Sequence, residues 1–203
     1  LDFLLAPGFK SLTERAIPPA DRVAHENDRC HLLAFDYAVC RNEQGVLEPR
    51  LIELQGFPSL LGFQVYYPDC LRRHFSIPDN FSQFLNGYNK ESFLNDFRSL
   101  LLANHAAEEV ILLEIQPHHQ KTRIDFYCTQ DYTGIPIVCL TELIQEGKKL
   151  YYLHPQSGKK TRVRRIYNRV IFDELHLKKA QLGKLPDLTA DLEVEWIPHP
   201  NWF

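Results

Sequence analysis

The chain has 203 residues, 44% of them hydrophobic, with 26 acidic side chains against 23 lysines and arginines and a formal net charge of −3. That length buries a sizeable core as one large domain or two small ones. The near balance of charge asks for neither nucleic acid nor a membrane surface as partner, and no apolar run reaches spanning length.

Five cysteines, Cys30, Cys40, Cys70, Cys128 and Cys139, are odd in number and form no CxxC pair, which reads as reduced thiols in a cytoplasmic protein. No signal peptide opens the sequence. There is no methionine, so the expectation is either a piece of a longer protein or a sequence from which modified methionines have dropped out.

The opening LDFLLAPGFKSLTERAIPPA is a Pro-punctuated arm, and Asp21–Arg29 has the polarity of a short helix. His31–Phe63 is the most informative stretch. HLLAFDYAVC favours a strand, Leu51–Gln55 alternates, and Asn42-Glu43-Gln44-Gly45 between them carries turn chemistry. A hairpin closed by a four-residue NEQG loop places Asp36 opposite Leu51 and Ala34 opposite Glu53. Asp36, Glu53 and Gln55 then share one face above small Ala34 and Ala38, and a slip of one residue separates them. Three oxygen-bearing side chains on one face suit a hard cation such as Mg²⁺. Acids facing water from a half-exposed strand are the alternative.

Gly56-Phe57-Pro58-Ser59 leads into a helix expected from Pro58 or Ser59 to about Tyr66, ended by Pro68. Such a junction either offers backbone N–H groups to an anion or is an ordinary helix start. Asp79 is placed to cap Asn80–Leu85. Asn89–Asn104 predicts a stronger helix, whose Phe93, Phe97, Leu100 and Leu101 form a core-facing stripe.

Val110–Ile115 is a continuous apolar run of the buried, parallel-sheet kind. Lys121–Tyr132 predicts a helix with Ile124, Tyr127 and Cys128 inward and Gly134 closing it. A strand follows over Ile135–Leu140, then a helix over Glu142–Glu146 capped by Thr141, then a hairpin of Leu150–Leu153 with Thr161–Tyr167. Strand, helix, strand, helix, strand predicts an α/β fold with a Rossmann-like three-layer unit. The absence of GxGxxG argues against a dinucleotide.

His118 and His119 follow the first strand of this unit, where ligands bind in parallel sheets, although two histidines in a polar loop are usually solvated. Lys159, Lys160, Arg162, Arg164, Arg165 and Arg169 make either a solvated basic hairpin or a phosphate contact, for which Arg164 and Arg165 are the candidates. VEWIPHPNWF would expose Trp196, Trp202 and Phe203 unless a partner or further chain covers them.

FDYAVCRNEQGVLEPRLIELQGFPSL resembles the metal-binding segment of circularly permuted ATP-grasp ligases, glutathionylspermidine synthase among them. VILLEI through RRIYNRVIFDEL is similar, in order and size, to that family's pre-ATP-grasp domain. The resemblance implies Asp36, Glu53 and Gln55 as ligands of the Mg²⁺ (or Mn²⁺) that accompanies ATP, with Ser59 next to phosphate or substrate. It also implies a division into a hairpin and helical segment of the catalytic lobe (1–107), a pre-ATP-grasp domain (108–176), and a tail (177–203) leading to a missing C-terminal lobe. The sequence departs from the family in three places. Ala34 stands where the family has Arg, Gln55 where it has Asn, and Phe57-Pro58-Ser59 where it has a Thr-Pro-Thr loop.

The function implied is ligation of a small carboxylate to an amine or thiol through an acyl phosphate. The family's lysine-bearing, Gly-rich lid would lie beyond Phe203, so these residues alone are not expected to turn over ATP. Two rivals stand beside it. One is a restriction-endonuclease-like nuclease core, against which the missing lysine of Glu-x-Lys counts, and the other is a non-catalytic α/β binding module.

Overall fold

The computed structural model describes residues 6–26 and 30–202. The N-terminal arm carries a short helix, α1 (Phe9–Thr13), and 3-10 turns at Glu14–Ala16 and Pro19–Asp21. The polar helix expected from Asp21 does not form over the described residues. Asp21 instead ends a turn opened by Pro19, and its carboxylate lies 2.7 Å from His176 Nε2. Residues 27–29 lie outside the described residues.

β1 (Ala34–Arg41) and β2 (Leu47–Gln55) form an antiparallel pair of their own. Their loop is Asn42–Val46, one residue longer than expected. Asn42 Oδ1 accepts from the Gln44 and Val46 N–H groups at 3.1 and 2.9 Å, and Gly45 takes φ +77°. α2 (Leu61–His74) then runs through Pro68 rather than stopping before it. Proline in a helix interior removes one backbone hydrogen bond without forbidding the helix. The segment expected as a capped helix after Asp79 is irregular. α3 (Lys90–Leu102) starts on Asn89, whose side chain accepts from Ser92 N while Ser92 Oγ accepts from Asn89 N. Phe97 and Leu101 of its stripe are buried.

β3 (Val110–Glu114) is buried along its whole length. α4 (Arg123–Thr133) crosses from it to β4 (Ile137–Cys139) and ends on left-handed Gly134. The expected helix over 142–146 is instead β5 (Ile144–Glu146), because Gly147, with φ +60°, turns a tight hairpin into β6 (Lys149–Leu153). The strand expected over 161–167 is two strands in two sheets. β7 (Lys160–Val163) pairs antiparallel with β6, the chain turns at Arg164, and β8 (Arg165–Asn168) joins β3 in parallel. α5 (Phe172–Leu182) follows. β9 (Glu195–Ile197), inside the stretch expected as linker and tail, pairs parallel with β8.

The result is a mixed α/β fold whose parallel sheet has the order β4-β3-β8-β9. Successive β3 side chains point to opposite faces. Ile111, Leu113 and Ile115 pack with Leu150, Tyr152 and Val163 of the antiparallel β5-β6-β7 sheet, while Val110 and Leu112 pack with Phe97, Leu101 and Phe126 of the helices. One flanking layer is therefore helical, and the other is largely a second sheet.

Trp196 sits in this core rather than in solvent, and Trp202 is half-buried; Phe203 lies outside the described residues. Asn201 ties the tail to the N-terminal arm. Its side-chain amide accepts from Val23 N at 2.9 Å and donates to Val23 O at 3.1 Å. No helix among the described residues is long and apolar enough to cross a membrane.

Candidate functional site

From the loop inward, Arg41 faces Leu47, Val39 faces Pro49 and Tyr37 faces Leu51. Continued without a break, that register would set Asp36 against Ile52 and turn Glu53 to the opposite face. A β-bulge intervenes. Ile52 is passed over, so Asp36 faces Glu53 and Ala34 faces Gln55. The expected pairings of Asp36 with Leu51 and Ala34 with Glu53 are thus replaced, because the loop is one residue longer and the bulge adds another. The shared face survives both changes.

Asp36, Glu53 and Gln55 come together as expected. Gln55 Nε2 donates to Asp36 Oδ2 at 2.8 Å and to Glu53 Oε1 at 2.6 Å. Asp36 and Gln55 are half-buried and Glu53 is exposed, so the group is open to solvent. Among the described residues no group of three or more His, Cys, Asp or Glu is placed to hold a metal. The hairpin set is of another composition, two carboxylates and one amide, and its donor chemistry fits Mg²⁺. Both carboxylates reach toward a single atom, and a half-turn of the Gln55 amide puts its oxygen where its nitrogen stands.

The loop after β2 is fastened from three sides. A Cβ on Gly56 would lie 2.9 Å from the Trp202 carbonyl oxygen, so only glycine lets the tail approach there. Arg169, at the end of β8, donates from Nη1 to Pro58 O at 2.7 Å and lies 4.6 Å from the centre of the Phe57 ring. Asp125 of α4 accepts from Phe63 N at 2.9 Å. Burial raises its pKa, opposed by the Phe63 N–H, by Arg169 and by the N–H groups of Gly62 and Leu60. The acceptor at the start of α2 is therefore the Asp125 side chain. This junction has two alternatives, an anion site or an ordinary helix start; its N–H groups are taken up by the protein's own side chain, and Leu60 is held at φ +65° beside it.

The inward face expected for α4 holds at Cys128 but not at Ile124 and Tyr127. Asp125, Phe126, Cys128 and Thr129 are buried, whereas Ile124 and Tyr127 are 42% and 36% exposed. α4 packs on α2 where a Cβ on Gly62 would meet Thr129 Oγ1 at 2.7 Å, and this contact sets the rotation of the helix. Ser59 is half-buried on the fastened loop, next to Pro58.

Arg164 and Arg165 are not brought to the hairpin. Arg164 Nε pairs with Glu109 Oε1 at 3.2 Å. Arg165 pairs with Glu195 and donates to Leu100 O at 3.1 Å, at the N-terminal end of β8. Arg162 and Lys160 likewise meet Glu193 and Glu146, so the basic cluster is largely neutralised by its own neighbours. His118 Nδ1 lies 3.0 Å from Tyr127 OH, its ring stacked on the tyrosine.

Two groups escaped the sequence reading. Arg169 belongs by sequence to the basic cluster, although it follows a fully buried strand and is 7% exposed. Glu114, inside VILLEI, is 6% exposed at the carboxyl end of β3. Burial pushes its pKa up to about 7, against the Ile115 N–H that it accepts at 2.7 Å. An acid embedded in an apolar strand was the visible signal for it.

The chain matches no family model and no curated protein.

Proposed function

We propose that this chain belongs to an ATP-dependent, Mg²⁺-requiring ligase of ATP-grasp type, joining a small carboxylate to an amine or thiol. The observation that carries the reading is the convergence of Asp36, Glu53 and Gln55 on one hairpin face. Asp36 and Glu53 would hold Mg²⁺ (or Mn²⁺) through their carboxylates and Gln55 through its amide oxygen. When bound, the ion neutralises charge on the phosphates of ATP and in the phosphoryl-transfer transition state.

The chain's own residues do the rest. Ala34 and Ala38 keep the face beside Asp36 low, leaving room for a phosphate chain. Arg169 and Asp125 fix the Phe57–Phe63 loop, so Ser59 is held on a rigid support where phosphate or substrate would pass. In this reading the β3–α4–β4 crossover is part of a Rossmann-like pre-ATP-grasp unit, and the products are ADP, phosphate and an amide or thioester. Five free thiols suit the cytoplasm, where ATP is also found.

The test is calorimetric titration of Mn²⁺ into the chain with a non-hydrolysable ATP analogue present, since Mg²⁺ sites commonly borrow phosphate oxygens. The expected result is a saturable heat that the double variant Asp36→Ala, Glu53→Ala loses while its circular dichroism stays unchanged. Indistinguishable traces would overturn the site.

A further inference from the structure

A groove of about 690 Å³ opens at the base of the hairpin, between the chain entering β1, the first turns of α2, and α3. That volume falls in the range of small-molecule sites, roughly 300–1,000 Å³. Leu32, Leu33, Leu61, Val65 and Leu100 line it with aliphatic surface. Phe84, Phe93 and Phe97 add a ladder of rings with centroids 5.7 and 6.1 Å apart.

The polar lining is His31, Gln64, Gln83, Tyr88 and Asp96. Asp96 is the one carboxylate in the lining, and no lysine or arginine is among the described lining residues. Tyr88 OH donates to Asp96 Oδ2 at 2.6 Å, which leaves Oδ1 for a ligand. That hydrogen bond and the Asp96 charge push the Tyr88 phenol up, so it remains a donor at neutral pH. An apolar wall of aromatic faces with one negative group suits a cation on an apolar body, since rings and carboxylate both attract an ammonium. A carboxylate or phosphate ligand would meet the Asp96 charge with no lysine or arginine in the described lining to offset it, His31 being the one side chain there able to carry a positive charge.

We propose that this groove binds a primary amine with an apolar body, an alkyl- or arylalkylammonium, with its nitrogen at Asp96. Leu33 is three residues from Asp36, hence within about 11 Å of it along the chain. On the ligase reading, on which this further step rests, the bound amine is the nucleophile that attacks the acyl phosphate. The ammonium gives up two protons, one to solvent before attack and one to the departing phosphate, as the C–N bond forms and the C–O bond to phosphate breaks, releasing hydrogen phosphate.

The experiment titrates n-hexylamine and phenethylamine into the 203-residue chain, with n-hexanol and hexanoate as matched controls, followed by NMR chemical shifts. Both amines should saturate, hexanol should bind at least tenfold more weakly, and hexanoate more weakly still. Asp96→Asn should lose at least tenfold in amine affinity and close the gap to hexanol, while Leu61→Trp should block amine and alcohol alike by filling the groove. No saturation, equal binding of amine and hexanol, or an amine affinity unchanged in both variants would overturn the proposal. Mn²⁺ titration of the same samples separates the two readings. Amine binding without hairpin metal binding keeps the groove and removes the ligase, and metal binding without amine binding does the reverse.

Discussion

β1 and β3 are both rich in strand-forming residues, yet their apolar side chains meet opposite fates. Phe35, Tyr37 and Val39 are 52%, 53% and 76% exposed, whereas Val110 through Leu113 are wholly buried. In β3 both faces are covered, by helices on one side and a second sheet on the other. In the hairpin it is the polar face, with Asp36 and Gln55, that is half-covered. A two-stranded hairpin alone is marginal in water. This one depends on how its base is fastened, by Arg169 to Pro58, by Asp125 to Phe63 and by Trp202 against Gly56. The candidate site thus owes its geometry to register and anchoring, and the fold owes its stability to the buried sheet.

The sharpest way to break that contrast is a truncation in β3. Leu112→Ala should cost about 2–5 kcal/mol in urea unfolding, because the site is closed on all sides and cannot collapse around the lost atoms. A cost below 1 kcal/mol would mean the sheet is not the seat of stability.

A smaller effect tests the one acid inside that sheet. Glu114 titrates near 7 in the folded chain against an ordinary 4.5. Between those values the folded state keeps a proton that the unfolded state has released. Stability therefore falls as pH rises through this window and levels off above it. Glu114→Gln keeps an acceptor for Ile115 N and removes the titration. It should stabilise the protein at pH 8 by up to about 3 kcal/mol and leave it unchanged at pH 4. Parallel stability curves for the two proteins would refute the burial argument.

The smallest effect belongs to the hairpin. Val39→Thr, a surface change on the exposed face, should stay within about 0.5 kcal/mol in the same urea assay. A loss comparable with that of Leu112→Ala would show that the face is packed in solution.

Much of this architecture was legible in the sequence. VILLEI announced a buried strand, Asn89–Asn104 a helix, and Gly134 a helix end, because each is a local signal with a local cause. The shared face of Asp36, Glu53 and Gln55 was legible too, although by a different register from the one observed. What escaped depended on partners distant in sequence. Whether Gly147 ends a helix or turns a hairpin was decided by pairing with Lys149–Tyr151. The inward face of α4 was set by its approach to Gly62, and the break at Arg164 by a strand handed from one sheet to another. Arg169 looked like one more surface cation until the fold carried the Phe57–Pro58 loop to it.

The bulge at Ile52 has a consequence for how this hairpin can change over evolution. An odd loop and one bulged residue each reverse the parity of the strand, and together they restore it. A single insertion or deletion in the loop, or removal of Ile52 alone, would send Asp36 and Glu53 to opposite faces while sparing every side chain of the set. Two such events would bring them back. Length variants of this hairpin that keep the three groups together should therefore differ in paired steps, one residue in the loop matched by one in the strand.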